Sequence, residues 1–140
     1  MSRGLGDVYK RQRLNRIALE ACKQSKRSII PKVKEVVDFD EAIDELKDMD
    51  LFLVAYENAE NYGIRSLINQ FEENNIKLED IVDIGILIGP EGGFEEEEIE
   101  LLREKGAKII TLGNRILRTE TAGFTLAALL QYELGDLGGI

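Results

Sequence analysis

Apolar residues recur along the chain in two periods, and the alternation between those periods predicts the elements. Leu14, Ile17, Ala18, Ala21 and Cys22 stand at helical spacing, so residues 13–26 form an amphipathic helix with Arg13, Arg16, Lys23 and Lys26 on its polar side. Pro31 marks the end of that pattern. Short apolar runs at 33–37, 51–55, 82–88 and 108–112 predict strands, and the stretches 40–47, 64–73, 95–105 and 119–134 between and after them predict helices. Short apolar strands separated by helices imply an α/β fold, a mostly parallel sheet with helices on both faces. Residues 1–12 follow neither period; they are expected to be a leader not native to the domain, which then occupies 13–140.

Length agrees with a single domain, since 140 residues bury roughly two-thirds of their unfolded surface. The longest apolar stretches fall well short of the ~20 residues that cross a bilayer, and no basic flank, apolar core and cleavage site combine into an export signal. A cytoplasmic protein with no membrane partner is expected. The single cysteine and the absence of histidine exclude a thiolate cluster and Ser-His-Asp hydrolysis, so no metal is expected.

The net charge of −9 is unevenly distributed. Residues 1–34 hold ten Lys/Arg against two Asp/Glu, and residues 35–140 hold eight against 25, giving about +8 and −17. A basic arm on an acidic body suits a phosphate-bearing partner, while a solvated basic helix explains the same counts. The glutamates 95–98 open a helix, where they complement the positive end of its dipole.

Ligands of open parallel sheets bind beyond the carboxyl ends of the strands. Three loops leave such ends, at 56–61, 89–94 and 113–118. In the second, Gly89-Pro90-Glu91-Gly92-Gly93-Phe94, three glycines in five residues allow backbone to approach a flat ligand closely, and they equally suit a tight strand-to-helix turn. Neither GxxxxGK[ST] nor GxGxxG is present, which disfavours a nucleoside triphosphate. The third loop carries Arg115 and Arg118 beside the apolar Ile116 and Leu117, with Thr119 as the expected N-cap of the last helix. Burial of Ile116 and Leu117 requires either core packing or a ligand.

The segments "IGPEGGF" at 88–94 and "LGNRILRTETA" at 112–122, with "RIALEACKQSKRSIIP" upstream at 16–31, together resemble the 16S ribosomal RNA (uracil-N3) methyltransferases of the SPOUT superfamily. The likeness covers the chain from about residue 13 onward. It implies a C-terminal trefoil knot, an exception to ordinary chain topology. It also implies S-adenosylmethionine as cofactor, with Ile88, Gly89, Gly93, Leu112, Gly113, Ile116, Leu117 and Ala122 around it and Tyr56 and Glu57 bordering the pocket. The substrate would be 16S rRNA or the small ribosomal subunit, and the assembly a homodimer to which Phe124, Leu126, Leu129, Leu130 and Leu134 offer apolar contact; core burial explains the same spacing. The family also carries an N-terminal PUA-like RNA-binding domain, which is expected to be missing from these residues.

Transfer of a methyl group to uracil N3 requires near-attack geometry and loss of the N3 proton. Arg118 is the candidate for stabilising charge on the uracil carbonyl oxygens, and Glu120 for accepting the proton or a hydrogen bond; a charge at a helix N-terminus is the plainer role for Glu120. Arg115, Arg27 and Gln24 are candidates for holding RNA, although Arg27 also suits an ordinary surface position. Two other readings stay open: a SPOUT ribose 2'-O-methyltransferase, whose Ser-Leu-Asn-rich signature is not found, and a truncated noncatalytic module for cofactor binding or dimerisation.

Overall fold

A computed structural model describes residues 5–25, 31–57, 59, 62–90, 92–113 and 118–135. The chain divides into two compact units, residues 1–42 and 43–140.

In the first unit, helix α1 (Leu5–Ser25) begins eight residues before the position its apolar periodicity indicates. Residues 5–12 carry no apolar period that could mark them as helical, and within the periodic part Ile17 is 54% exposed. The expected strand at 33–37 does not form. The Asn15 side chain takes both backbone groups of Val33: the Val33 N–H donates to Asn15 Oδ1 at 2.6 Å, and Asn15 Nδ2 donates to the Val33 carbonyl at 3.0 Å. A carboxamide thereby satisfies the donor and acceptor that a neighbouring strand would otherwise pair. Helix α2 (Phe39–Leu46) follows.

The second unit is built on a parallel sheet of β1 (Leu51–Ala55), β2 (Ile84–Ile88) and β3 (Lys108–Ile110) in the order β2-β1-β3. Helices α3 (Ile64–Glu73), α4 (Glu96–Glu104) and α5 (Thr119–Leu134) alternate with the strands. Leu51, Phe52, Leu53 and Val54 of the central strand are all buried. Since successive side chains point to opposite faces, both faces of β1 are covered. Leu51 and Leu53 join Ile64, Leu67 and Phe71 of α3, Ile110 of β3, and Leu126 and Leu130 of α5 in one apolar cluster. On the other side of the strand lie Phe52 and Val54, and α4 packs against β3 with Ile99 and Leu102 buried.

Register decides where the loops leave. Ala55 pairs with both Ile88 and Ile110, so the three strands end level with one another. The expected helices 64–73 and 119–134 and the strand 51–55 are found at those bounds, and α4 differs by one residue at each end. β2 begins two residues later than expected. The Val82 and Asp83 N–H groups donate to the Asp50 carboxylate at 2.8 and 3.4 Å rather than to a ladder, and Val82 is 86% exposed. β3 ends at Ile110 because the Thr111 N–H turns to the Tyr62 carbonyl, 2.8 Å away. No helix among the described residues is long and apolar enough to cross a membrane.

The N–H groups of Val82, first, and Asp83 hold the Asp50 carboxyl below its ordinary value of 3.8. A lowered folded-state pKa contributes stability that is present above about pH 4 and is lost as the pH falls through the folded value. Asp50→Asn is therefore expected to lower the urea midpoint at pH 7, with the gap to the parent narrowing as the pH is taken below 4. A gap of constant size from pH 7 to pH 3 would show that the carboxylate charge contributes nothing.

Candidate active site

Level strand ends bring three connections to one edge of the sheet, where a cavity of about 550 Å³ opens between them. Ala55, Tyr56 and Glu57 line it after β1; Ile88, Gly89, Pro90, Gly93 and Phe94 after β2; Thr111, Leu112 and Gly113 after β3. The start of α5 closes the circuit with Arg118, Thr119, Glu120 and Ala122.

Backbone bonds fix these connections. The Tyr56 N–H donates to the Ile110 carbonyl at 2.9 Å, and the Gly93 N–H to the Pro90 carbonyl at 2.8 Å, closing a tight turn. Gly93 adopts φ +79°, a conformation that side chains with a Cβ rarely take, and a Cβ built there meets nothing within 4 Å. Gly89 serves a different end. A Cβ there would stand 3.0 Å from the ring of Phe94, so the missing side chain makes room for an aromatic ring of the same loop. The Thr111 hydroxyl bonds the Gly113 carbonyl and accepts from its N–H, both at 3.2 Å, which tightens the bend after β3.

The glycine loop and the last helix meet directly. Thr119 is not the N-cap of α5; Arg118 occupies that position without a side-chain cap bond. The Thr119 hydroxyl, one residue inside the helix, instead donates to the Gly89 carbonyl at 3.2 Å. A carbonyl at the end of one strand is a more distant partner than the helix's own N–H groups, and sequence spacing alone gives no sign of it.

Of the residues singled out from sequence, Tyr56, Glu57, Ile88, Gly89, Gly93, Leu112, Gly113, Arg118, Glu120 and Ala122 surround this one cavity. Arg118 and Glu120 are exposed at its rim, and Ala122 is buried at the first turn of α5. Arg115, Ile116 and Leu117 lie outside the described residues, as does Arg27; Gln24 is exposed on α1 in the first unit. Five further residues line the cavity: Ala55, Pro90, Phe94, Thr111 and Thr119. Pro90 and Phe94 stand inside the glycine motif itself, and Thr111 immediately follows a strand, so position in the loop was the available signal. Among the described residues no three acidic or cysteine side chains group as a metal site.

A parallel sheet with a loop-built cavity at its carboxyl edge defines a class that sequence comparison also recovers. The chain belongs to the RNA methyltransferase domain family, whose model matches residues 6–131. Among curated relatives it is similar to the ribosomal RNA small subunit methyltransferase E of Bacillus subtilis, 36% identical over 130 residues, which are 93% of this chain and 50% of that protein. The protein of the same name from Mesomycoplasma hyopneumoniae is 35% identical over 86% of this chain and 48% of its own length. A crystal structure of the Neisseria gonorrhoeae ribosomal RNA small subunit methyltransferase E bound to S-adenosyl methionine matches with a TM-score of 0.78 and 29% identity, covering 98% of this chain and 54% of that one. The chain thus spans about half the length of the curated relatives it matches.

Thr119→Val removes the donor to a partly buried carbonyl while keeping side-chain shape. It is expected to cost about 1 kcal/mol in chemical denaturation and to speed amide exchange at Gly93. Unchanged stability and exchange would show that the contact between the glycine loop and α5 is not held by this bond.

Proposed function

We propose that this chain binds S-adenosylmethionine in the cavity at the carboxyl edge and acts in methylation of uracil N3 in 16S ribosomal RNA. The observation that carries the reading is the meeting of the glycine loop and the start of α5, joined by the Thr119–Gly89 bond, around a cavity of about 550 Å³. That volume lies within the range of roughly 300–1,000 Å³ usual for small-molecule sites. The lining fits the group. Ala55, Ile88, Leu112 and Ala122 offer apolar contact to an adenosyl moiety, the absence of side chains at Gly93 and Gly113 lets a ligand approach the backbone closely, and Glu57 and Glu120 are anions suited to a cationic ligand.

Bound there, the cofactor would supply an electrophilic methyl group on a sulfonium. The work of this chain is positional: loops anchored to level strand ends hold the ligand and exclude water from it. Arg118, at the rim and at the head of α5, carries a fixed positive charge for the uracil carbonyl oxygens as the N3 proton leaves. Glu120, two residues further on at the same rim, is the acceptor of that proton or of a hydrogen bond from the base. Arg115 with Gln24 and Arg27 of the basic arm would contact RNA, and Ile116 and Leu117 would complete the cofactor's apolar wall. A C-terminal trefoil knot follows from the family resemblance, as do a homodimer and a cytoplasmic location. Leu126 and Leu130 are committed to the core, whereas Phe124 at 78% and Leu129 at 38% exposure are free to serve a partner surface.

Calorimetry with S-adenosylmethionine, followed by mass analysis of digested 16S rRNA fragments, tests the reading. Donor uptake with methylation on the base supports it; methylation on ribose favours a 2'-O-methyltransferase, and donor uptake without transfer a noncatalytic module. Gly93→Val places a branched side chain at positive φ in the cavity wall and is expected to weaken donor binding at least about tenfold; unaltered affinity removes Gly93 from the site. Arg118→Ala is expected to leave donor affinity within about twofold and to slow methyl transfer by about 100-fold. Equal turnover in the variant would reject its role in charge stabilisation.

A further inference from the structure

A second cavity, of about 350 Å³, opens beside β3. Tyr62 and Gln70 line it from the segment after β1 and from α3, Arg103 from the last turn of α4, and Lys108 from the start of β3, with Ala107 and Ile109 between them. Three of its four polar side chains can donate to a ligand. The Tyr62 hydroxyl donates to Gln70 Oε1, which occupies the carbonyl end of that amide and leaves its two N–H groups as donors. Desolvation by burial raises the Tyr62 pKa, so the hydroxyl keeps its proton. Arg103 and Lys108 add two cations, and no carboxylate lines the cavity. Among the described residues neither cation makes an ion pair.

This arrangement stands on an acidic body, since residues 35–140 hold 25 Asp/Glu and only eight Lys/Arg. A polyanion is repelled over most of such a surface, and a hollow lined by two cations and an amide donor is a place that accepts it. Guanidinium, ammonium and amide donors together match the several acceptor oxygens of a phosphate group. The hollow is also coupled to the larger cavity. Thr111 lines that cavity, and its N–H is bonded to the Tyr62 carbonyl, so one backbone bond links the two.

We propose that the cavity formed by Tyr62, Gln70, Arg103 and Lys108 binds a backbone phosphate of RNA, anchoring the strand while its target base enters the larger cavity. The second half of that statement rests on the methyltransferase reading; the phosphate site itself does not. The test compares single-stranded RNA binding across a salt series for the parent chain, Arg103→Ala/Lys108→Ala, and Lys47→Ala/Lys77→Ala, which makes the same change in net charge at residues that do not line the cavity. In the first double variant affinity at low salt is expected to fall about tenfold, and the slope of log affinity against log salt to shrink by about 0.7, the contribution of one single-strand phosphate. The control pair is expected to keep the parent slope. Equal losses in both pairs, no loss in the first, or no salt-dependent RNA binding by the parent would each overturn the proposal. Inorganic phosphate at millimolar concentration provides a second arm: saturable shifts of the Gln70 side-chain amide resonances with an unchanged RNA slope would assign the cavity to a free anion and overturn the RNA claim. Calorimetry with S-adenosylmethionine on the same proteins keeps the two readings apart, because failure of the parent to bind the donor rejects the methyltransferase while the RNA slopes still decide the phosphate site.

Discussion

The pairing of Ala55 with Ile88 on one side and Ile110 on the other is the constraint from which the site follows. Parallel strands in that register release their connections at a common level, and each connection is then bonded to the strand or loop beside it: Tyr56 to Ile110, Thr111 to Tyr62, Thr119 to Gly89. No long side chain has to bridge a gap. The geometry of the cavity is therefore set by the apolar sheet beneath it, whose central strand is sealed on both faces. Loops can wall a defined cavity here because a rigid scaffold holds their ends.

Glycine serves that geometry in two physically different ways within six residues. At Gly93 the backbone needs a left-handed conformation to complete the turn from Pro90. At Gly89 it needs space, which the Phe94 ring fills, while the carbonyl faces the hydroxyl of Thr119. The motif thus packs against itself on one side and presents backbone on the other.

The parts of the fold most legible in the sequence were those governed by apolar periodicity. β1, α3 and α5 begin and end where the pattern does, because each buries a continuous stripe in one core. Misreadings cluster where a side chain captures a backbone group. Asn15 takes Val33 out of any ladder, Asp50 shortens β2, and Thr119 reaches a carbonyl in another loop instead of capping its own helix. Such bonds depend on where distant segments meet, and no local pattern encodes that. The candidate site residues came from the family resemblance of segments 88–94 and 112–122 rather than from any local pattern, and the level strand ends are what bring residues of both segments to one cavity. Pro90 and Phe94 were overlooked because their loop was read for its glycines, and Thr111 because the expected strand 108–112 took it in, whereas β3 ends at Ile110.

The four walls of the larger cavity come from chain segments well separated in sequence, from Ala55 to Ala122. A molecule that touches all of them acts as a noncovalent crosslink spanning most of the second unit. Opening any single loop would then forfeit contacts on the others, so occupancy would raise the free energy of local fluctuations and of global unfolding together, by an amount set by ligand concentration relative to its dissociation constant. Resistance to proteases in the cell would track the supply of the small molecule.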